Sequence, residues 1–398
     1  MFFSNLSIHI PPDLAKESPM KDLEGERQMI KEVAIKTAQK VVKPRAEEID
    51  VRGEFPLDLV DTFGKQGLLS VLLPEEFGGT NGDLTSFCMV VEEIAKVSGS
   101  ASLLILAQGM GTLPILIGGG PAQQERYFNL ISEENTLAGL AYHEAETGPD
   151  LHSLQTRAER QGKEYVLQGR KPFVTHGTLA GLYAVFATTG AGRGPRSLSA
   201  FVVEKGAPGL SFGKPIGMLG MRGSVTADLI FEECRIPMES RLGEEGEGWE
   251  IAQKTFSRSG TASGAQAVGI AQGAIDFAMG YAQERVQFGK PISSFQAVRF
   301  MLAEMMTQVE AARSLVYKAV IHVESGLDDA GKLSAMAKSY ASDMAMRVTT
   351  DAVQILGGYG YMRDYPVERM MRDAKVTQIF GGTNQLQRKM VANHLFRV

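Results

Sequence analysis

The chain has 398 residues, enough for two or three domains around large cores. Hydrophobic residues make up 44% and charged residues 22%, ordinary for a globular protein, and a formal net charge of −5 gives no general attraction to nucleic acid. Two cysteines, Cys88 and Cys234, exclude a disulfide framework and a thiolate metal site, and fit a reducing compartment.

The first residues, MFFSNLSIHIPPDLAKESP, carry no basic n-region, no long apolar run and no arginines, so neither a signal nor a transit peptide is expected. A cytoplasmic location follows as the expectation. From about Leu23 to Ser132 apolar residues such as Ile30, Val33, Ala34 and Ala38 recur at helical spacing. Phe55-Pro56 breaks the pattern before a second helix, and the turn cluster GGTNGDL precedes a helix from Thr85 to Lys96. Ala101 to Gly118 is apolar all round and reads as a buried helix. Its core, Leu103 to Ile117, is interrupted by Gln108, Gly109, Gly111, Thr112 and Pro114, too broken for a membrane span. Ala122 to Ile131 forms a further helix.

Between about Ala138 and Pro237 the period changes to short β-rich runs bounded by glycine: LAGLAY, YVLQG, KPFVTHG, LYAVFAT, LSAFVVE and TADLIFEECRIP. They predict a small antiparallel barrel or sandwich. From Gly246 the pattern is helical again, in three long pieces: Trp249 to Arg285, Phe295 to Glu324 and Asp329 to Leu356. The fold class is therefore α+β, with a helical region at 1–137, a β-domain at 138–242 and a helical bundle at 243–398. Small residues crowd the first long helix (Gly260, Gly264, Gly269 and Gly273 among them), which fits close packing of another helix or close approach of a ligand.

The last stretch is QILGGYGYMRDYPVERMMRDAKVTQIFGGTNQLQRKMVANHLF. A helix ends at Gly357-Gly358, a short amphipathic helix starts at Pro366, and the loop Phe380-Gly381-Gly382-Thr383-Asn384 opens into the final helix. Thr383 and Asn384 are good N-caps, and the free amides of a helix start suit an anion or a polar cofactor edge. The residues alone also fit a glycine-capped helical hairpin. Earlier, ERVQFGKPISSFQ forms a turn between long helices in which Arg285 offers a fork of donors suited to phosphate. The six histidines are not spaced as paired metal ligands, and HExxH, GxSxG, Walker and GxGxxG motifs are absent, so no metal site and no Rossmann-bound nicotinamide are expected.

The C-terminal stretch resembles the signature of the acyl-CoA dehydrogenase family, approximately GGYGY-x-x-E/D-YP-x-ER-x-x-RDA-x-x-x-x-I-Y/F-EGT. ERVQFGKPISSFQ is similar to the family's ER-x-x-FG-x-x-I/L-x-x-F/H-Q motif. MLGMRGSVTADLIFEECRIP and LPEEFGGTNGDL, followed by VVEEIAK, resemble its middle and N-terminal segments. The resemblance spans nearly the whole chain. It implies an N-terminal helical domain, a middle β-domain, a C-terminal four-helix bundle, a homotetramer, FAD, an acyl-CoA substrate and electron-transferring flavoprotein as partner. No nucleic acid and no membrane span are implied.

By the same resemblance, Arg285 and Phe288 hold the diphosphate and adenine end of a neighbouring subunit's FAD, with Gln296, Gln354 and Gly358 lining that region. Thr383 and Gln385 sit near the cofactor, and so do Tyr142, His143 and Gly148. Thr175 bonds near flavin N5, and Phe173 packs on the ring in place of a tryptophan. Phe380 and Gly381 face the substrate. Several positions depart from the pattern. Gly381 stands where most members carry the glutamate that takes the substrate's α-proton, and the alternative base position of some relatives is Ser259. Ser257 and Gly260 replace the Asp-x-x-Arg pair that contacts CoA, with Arg258 turned elsewhere on the helix. In YHEAETGPD, His143, Ala145 and Pro149 replace threonine, proline and serine. His176 replaces asparagine, as a pocket histidine or a satisfied turn residue.

A missing positioned base costs about 10²–10⁴ in rate, so an oxidoreductase with non-standard proton abstraction on an apolar, cyclic or conjugated acyl thioester is expected, its catalytic residue unassigned. The alternative is a flavin-binding protein without dehydrogenase turnover, either a desulfinase-like lyase or a silent partner subunit.

Overall fold

A computed structural model describes residues 19–148, 150–190 and 194–396. The N-terminal reading, His9 and Pro149 lie outside them.

Helix α1 (Pro19–Thr37) runs through one π turn and one 3₁₀ turn into α2 (Ala46–Arg52), and α3 (Leu57–Lys65) follows the Phe55-Pro56 break. Helix α4 (Leu84–Ala95) starts where the Asp83 carboxylate accepts from the Ser86 amide at 2.8 Å; Arg27 Nε also donates to that carboxylate, tying α1 to the cap. Helix α5 (Gly99–Gly118) is long and apolar enough to cross a membrane. It lies inside the protein, with 83% of its most apolar window buried, and packs on α4, on strand β1 (Ala138–Ala141) and on α7 (Gly248–Glu284). Helix α6 is Pro121–Glu134.

The other strands of the main sheet are β2 (Arg157–Gln161), β3 (Glu164–Thr175), β4 (Leu182–Thr188), β5 (Leu198–Glu204), β6 (Leu210–Phe212), β7 (Thr226–Pro237) and β8 (Arg241–Leu242), and two short strands after α7, β9 (Val286–Gln287) and β10 (Lys290–Pro291), pair with each other. They join in the order β6-β7-β3-β2-β4-β5-β8, with β1 beside β4. Most pairings are antiparallel, as expected. The sheet is nevertheless mixed, because β1 and one residue pair of β2 run parallel to β4. Strand β3 joins the runs YVLQG and KPFVTHG through two register shifts, one at Leu167/Gly169 and one at Lys171/Val174. Phe173, in the second, has φ of +58°.

The bundle consists of α7, α8 (Gln296–Glu324), α9 (Ala330–Leu356) and α10 (Pro366–Thr377), with α11 (Asn384–Phe396) laid against α9. Most of the glycines of α7 serve packing. A β-carbon on Gly269 would sit 2.3 Å from the Glu92 carbonyl oxygen, and one on Gly273 would sit 2.0 Å from that of Lys96, so α4 rests on the bare backbone of α7. This contact seats the N-terminal helices on the bundle.

Candidate functional site

The loop between α10 and α11 is held from two sides. Gly381 and Gly382 both take positive φ, +64° and +89°. Both carbonyls are held: Gln387 Nε2 donates to Gly381 O at 3.1 Å, and Lys338 Nζ on α9 donates to Gly382 O at 2.7 Å. Thr383 caps α11, its Oγ1 accepting from the Leu386 amide at 3.3 Å. Asn384 is not a second cap. It turns inward, accepting from Lys338 Nζ at 3.0 Å and donating to Ser342 Oγ at 2.9 Å and Asp343 Oδ1 at 2.8 Å. Lys338 is fully buried, and burial pushes it down to about 7, with the Asp343 charge pulling the other way.

Tyr142 follows β1, and its ring lies edge-on to Phe256 of α7, centroids 4.8 Å apart. Burial pushes this phenol up to about 12, against the pull of the nearby Gly382 and Gly381 backbone. A β-carbon on Gly381 would lie 3.6 Å from Ser263 Oγ, so a side chain there would start beside α7. The α7 hydroxyls turn inward: Ser263 Oγ donates to Ser259 O at 2.7 Å and Ser259 Oγ to Phe256 O at 3.3 Å. Neither serine is positioned as a base. Arg258 folds back on the Lys254 carbonyl at 3.2 Å.

Behind Tyr142 lies a buried ion pair. Lys171 Nζ donates to Glu144 Oε1 at 2.7 Å, and Glu144 also accepts from the Gln155 and Thr156 amides at 2.6 and 2.9 Å. Burial favours the neutral acid, but Lys171 and those amides outweigh it and hold Glu144 below the usual carboxylate range. Half-buried His143, next in sequence, keeps a buried Nδ1 with no partner, its ring centroid 6.0 Å from that of Phe173. Burial first, then the Lys171 charge, holds this imidazole below its ordinary value, against Glu144. Phe173 is 60% exposed at its bulge, where its amide donates to Asp228 Oδ1 at 3.2 Å. Gly148 closes the loop by bridging to Glu144, and Thr175 pairs with Thr226 at the end of β3. His176 lies away from this surface, fully buried at φ +62°. Its Nδ1 lies 3.0 Å from Ala138 O, Nε2 has no partner, and burial pushes it down to about 4.

The other sequence-predicted residues gather at the far end of α7 and α9. Arg285 ends α7 with its guanidinium over the Tyr359 ring, 5.3 Å from the centroid. Arg285, Gly358 and Tyr359 border a cavity of about 630 Å³ together with Tyr281 and Gly357. Phe288 (91% exposed), Gln296 and Gln354 are solvent-facing and lie outside its lining. Gln385 is exposed on α11, while Phe380 is half-buried, its amide donating to Val376 O at 3.0 Å. The structure thus brings Tyr142, Gly381 and Gly382 together, sets His143 beside Phe173, and keeps the Arg285 group separate.

Sequence reasoning missed Lys338 and Gln387. The signal was present: Lys338 shares the buried face of α9 with Ser334, Ala341, Ser342 and Ala345.

Three family models match the chain: the acyl-CoA dehydrogenase N-terminal domain over residues 24–134, the middle domain over 139–234 and the C-terminal domain over 246–396. The cyclohex-1-ene-1-carbonyl-CoA dehydrogenase of Geobacter metallireducens is 46% identical over 377 residues, covering 94% of this chain and 99% of that protein. The butyryl-CoA dehydrogenase structure from Megasphaera elsdenii superposes with a TM-score of 0.90 at 39% identity, over 94% of this chain and 98% of that one. A chain from a structural study of the electron transferring flavoprotein of Acidaminococcus fermentans superposes with a TM-score of 0.91 at 43% identity, with the same coverage of 94% and 98%.

Proposed function

The chain belongs to the acyl-CoA dehydrogenase family, a family of FAD-dependent oxidoreductases of CH–CH bonds, and on that premise we propose that it acts on an apolar, cyclic or conjugated acyl thioester with a proton-transfer group other than a carboxylate at 381. The observation that carries this reading is the Gly381-Gly382 turn, where glycine stands at φ +64° beside Ser263 and the nearby α7 hydroxyls are spent on their own helix. The 46% identity to a dehydrogenase named for a cyclic acyl thioester supports the substrate class.

The residues present fit FAD. The partnerless Nδ1 of His143 beside the exposed ring of Phe173 forms a surface for the isoalloxazine, with Tyr142, Gly148 and Thr175 around it. Thr383 and Gln385 lie at the α11 start. The cavity beside Arg285 and Gly358, with Gln354, Gln296 and exposed Phe288 nearby, suits the diphosphate and adenine end of a second subunit's cofactor, which favours a homotetramer. When bound, the flavin supplies the hydride exchange. Phe380 and Gly381 face the acyl chain. The functional domains are taken as 1–137, 138–242 and 243–398, a division supported by β1 starting at Ala138 and α7 at Gly248. Two free, buried cysteines favour the cytoplasm, and electron-transferring flavoprotein is the proposed electron partner.

The test is anaerobic mixing of the FAD-loaded protein with a panel of acyl-CoAs, including cyclic ones, while the flavin absorbance is followed. Bleaching or a charge-transfer band with a cyclic thioester is the expected result. If no thioester perturbs the flavin, the second reading takes over, a flavin-binding protein without dehydrogenase turnover. The absence of a carboxylate at both 381 and 259 favours that second reading. Its desulfinase-like form needs a cation facing the acyl chain, and the buried lysines 171 and 338 are committed elsewhere.

A further inference from the structure

The surface offered to the flavin comes from two strands that share no ladder. Strand β1 leads into Tyr142 and His143, and the end of β3 carries Phe173 and Thr175. The first pairs with β4; the second pairs with β2 only as far as Gln168, and from Gly169 to Thr175 it pairs with β7 alone. The two strands nevertheless meet. A β-carbon on Gly139 of β1 would lie 3.1 Å from the Thr175 carbonyl oxygen, so the bare glycine lets the two backbones close up.

Side chains supply the bonds that a ladder would have made. Lys171 Nζ donates to Tyr142 O at a long 3.5 Å, and His176 Nδ1, one residue past β3, lies 3.0 Å from Ala138 O. A carbonyl only accepts, so this nitrogen carries the proton, and the partnerless Nε2 leaves the fully buried ring that one polar contact. The ring also stands edge-on to Phe55 at the head of α3, centroids 5.7 Å apart. On the other side of the same peptide, the Ala138 amide donates to Gln108 Oε1 of α5 at 2.8 Å. His176 takes φ of +62°, uncommon for a residue with a side chain though less so for histidine and asparagine. The Leu179 and Ala180 amides hold it there, both donating to His176 O at 2.8 Å.

We propose that His176 is a positioning residue for the flavin: its Nδ1–H ties the end of β3, with Phe173 and Thr175, to the start of β1, and so sets the spacing of the two halves of the flavin surface. This rests on the FAD reading above and adds the residue that holds the surface in register. His176 does not touch the cofactor; it acts through Thr175 and Phe173. Asparagine at 176 keeps a side-chain N–H and tolerates the left-handed backbone, whereas phenylalanine keeps a flat ring beside Phe55 and donates nothing.

The experiment strips FAD from the full-length protein and titrates it back into the parent, His176→Phe and His176→Asn, following flavin fluorescence. Visible circular dichroism of the loaded proteins and a melting curve accompany each titration. His176→Phe is expected to weaken FAD binding by about 5–30-fold, through the lost hydrogen bond and the orphaned Ala138 carbonyl, and to change the flavin dichroism. His176→Asn is expected to stay within about threefold of the parent. A lower melting temperature with parental affinity and parental dichroism assigns His176 to stability alone and overturns the proposal, as does an asparagine variant no better than phenylalanine. Gly139→Ala probes the same seam from β1 and decides the matter where His176→Phe does not fold. FAD binding weakened by at least about threefold in a cooperatively melting protein supports the seam, and parental binding overturns it. A parent that takes up no FAD overturns the FAD reading and the proposal together.

Discussion

Among the described residues two lysines are fully enclosed, and the protein treats them differently. Lys171, in the sheet, faces the Glu144 carboxylate at 2.7 Å. Lys338, in the bundle, donates to oxygens of neutral groups, the Gly382 carbonyl and the Asn384 amide. Burial pushes the first down to about 8, with Glu144 resisting, and the second further, to about 7. A carboxylate offsets much of the desolvation of an ammonium, whereas dipoles offset less. The ion pair fixes the strand behind His143 as a permanent charge pair, while the bundle lysine holds the Gly381-Gly382 turn with a proton that it can lose near neutrality.

Breaking the ion pair is expected to have the largest effect. Lys171→Met leaves Glu144 buried without its cation and should cost about 3–5 kcal/mol in urea unfolding. Removing Glu144 as well should cost less than the sum of the two single changes. It will not restore the parent, because the Gln155 and Thr156 amides lose their acceptor. If Lys171→Met costs less than Lys338→Met, the contrast between the two lysines fails.

Lys338→Met should cost about 1–2 kcal/mol, because each orphaned oxygen keeps a second donor, Gln387 on Gly382 and Ser342 on Asn384. Its pH signature is sharper than its size. Native Lys338 releases its proton near 7, and the unfolded side chain near 10.5. Between those values the unfolded chain binds more protons, so this lysine makes stability rise with pH, by at most about 1.4 kcal/mol per unit. The stability of the parent minus that of Lys338→Met is therefore expected to grow from pH 6 to pH 9. Lys171 is present in both proteins and cancels. A pH-independent difference would mean that Lys338 keeps its proton throughout.

Such contrasts were unevenly legible in the sequence. The long helices were legible in their periodicity, and strands β4, β5 and β7 as short apolar runs between turns; β4 and β5 are buried on both faces and so read as continuous apolar stretches. Strand β2 gave no signal, since four of its five residues are exposed and its pairing depends on β3. The site divided in the same way. Gly381 was readable against the family signature, and Thr383 as a cap. The inward turn of Asn384 and the approach of Tyr142 to the Gly381-Gly382 backbone arise from contacts between segments more than two hundred residues apart or on different helices, which no local pattern encodes. Lys338 was half legible, as a charge on an apolar face.

The smallest expected effect tests what the pinned turn tolerates. Gly381→Glu adds a β-carbon at φ +64°, a region that costs non-glycine residues about 1–2 kcal/mol, although the nearest atom, Ser263 Oγ at 3.6 Å, leaves room for it. Melting should therefore drop slightly and no more. Because Lys338 and Gln387 hold the turn by its carbonyls, the new carboxylate is expected to start beside Ser263 and to give flavin bleaching by butyryl-CoA that the parent lacks. If the variant melts as expected but butyryl-CoA leaves the flavin oxidised, the acyl chain lies out of reach of position 381. Adding Lys338→Met to that variant then separates the two supports: loss of the gained bleaching without further unfolding would show that the neutral hydrogen bonds of Lys338, rather than the glycine itself, aim residue 381.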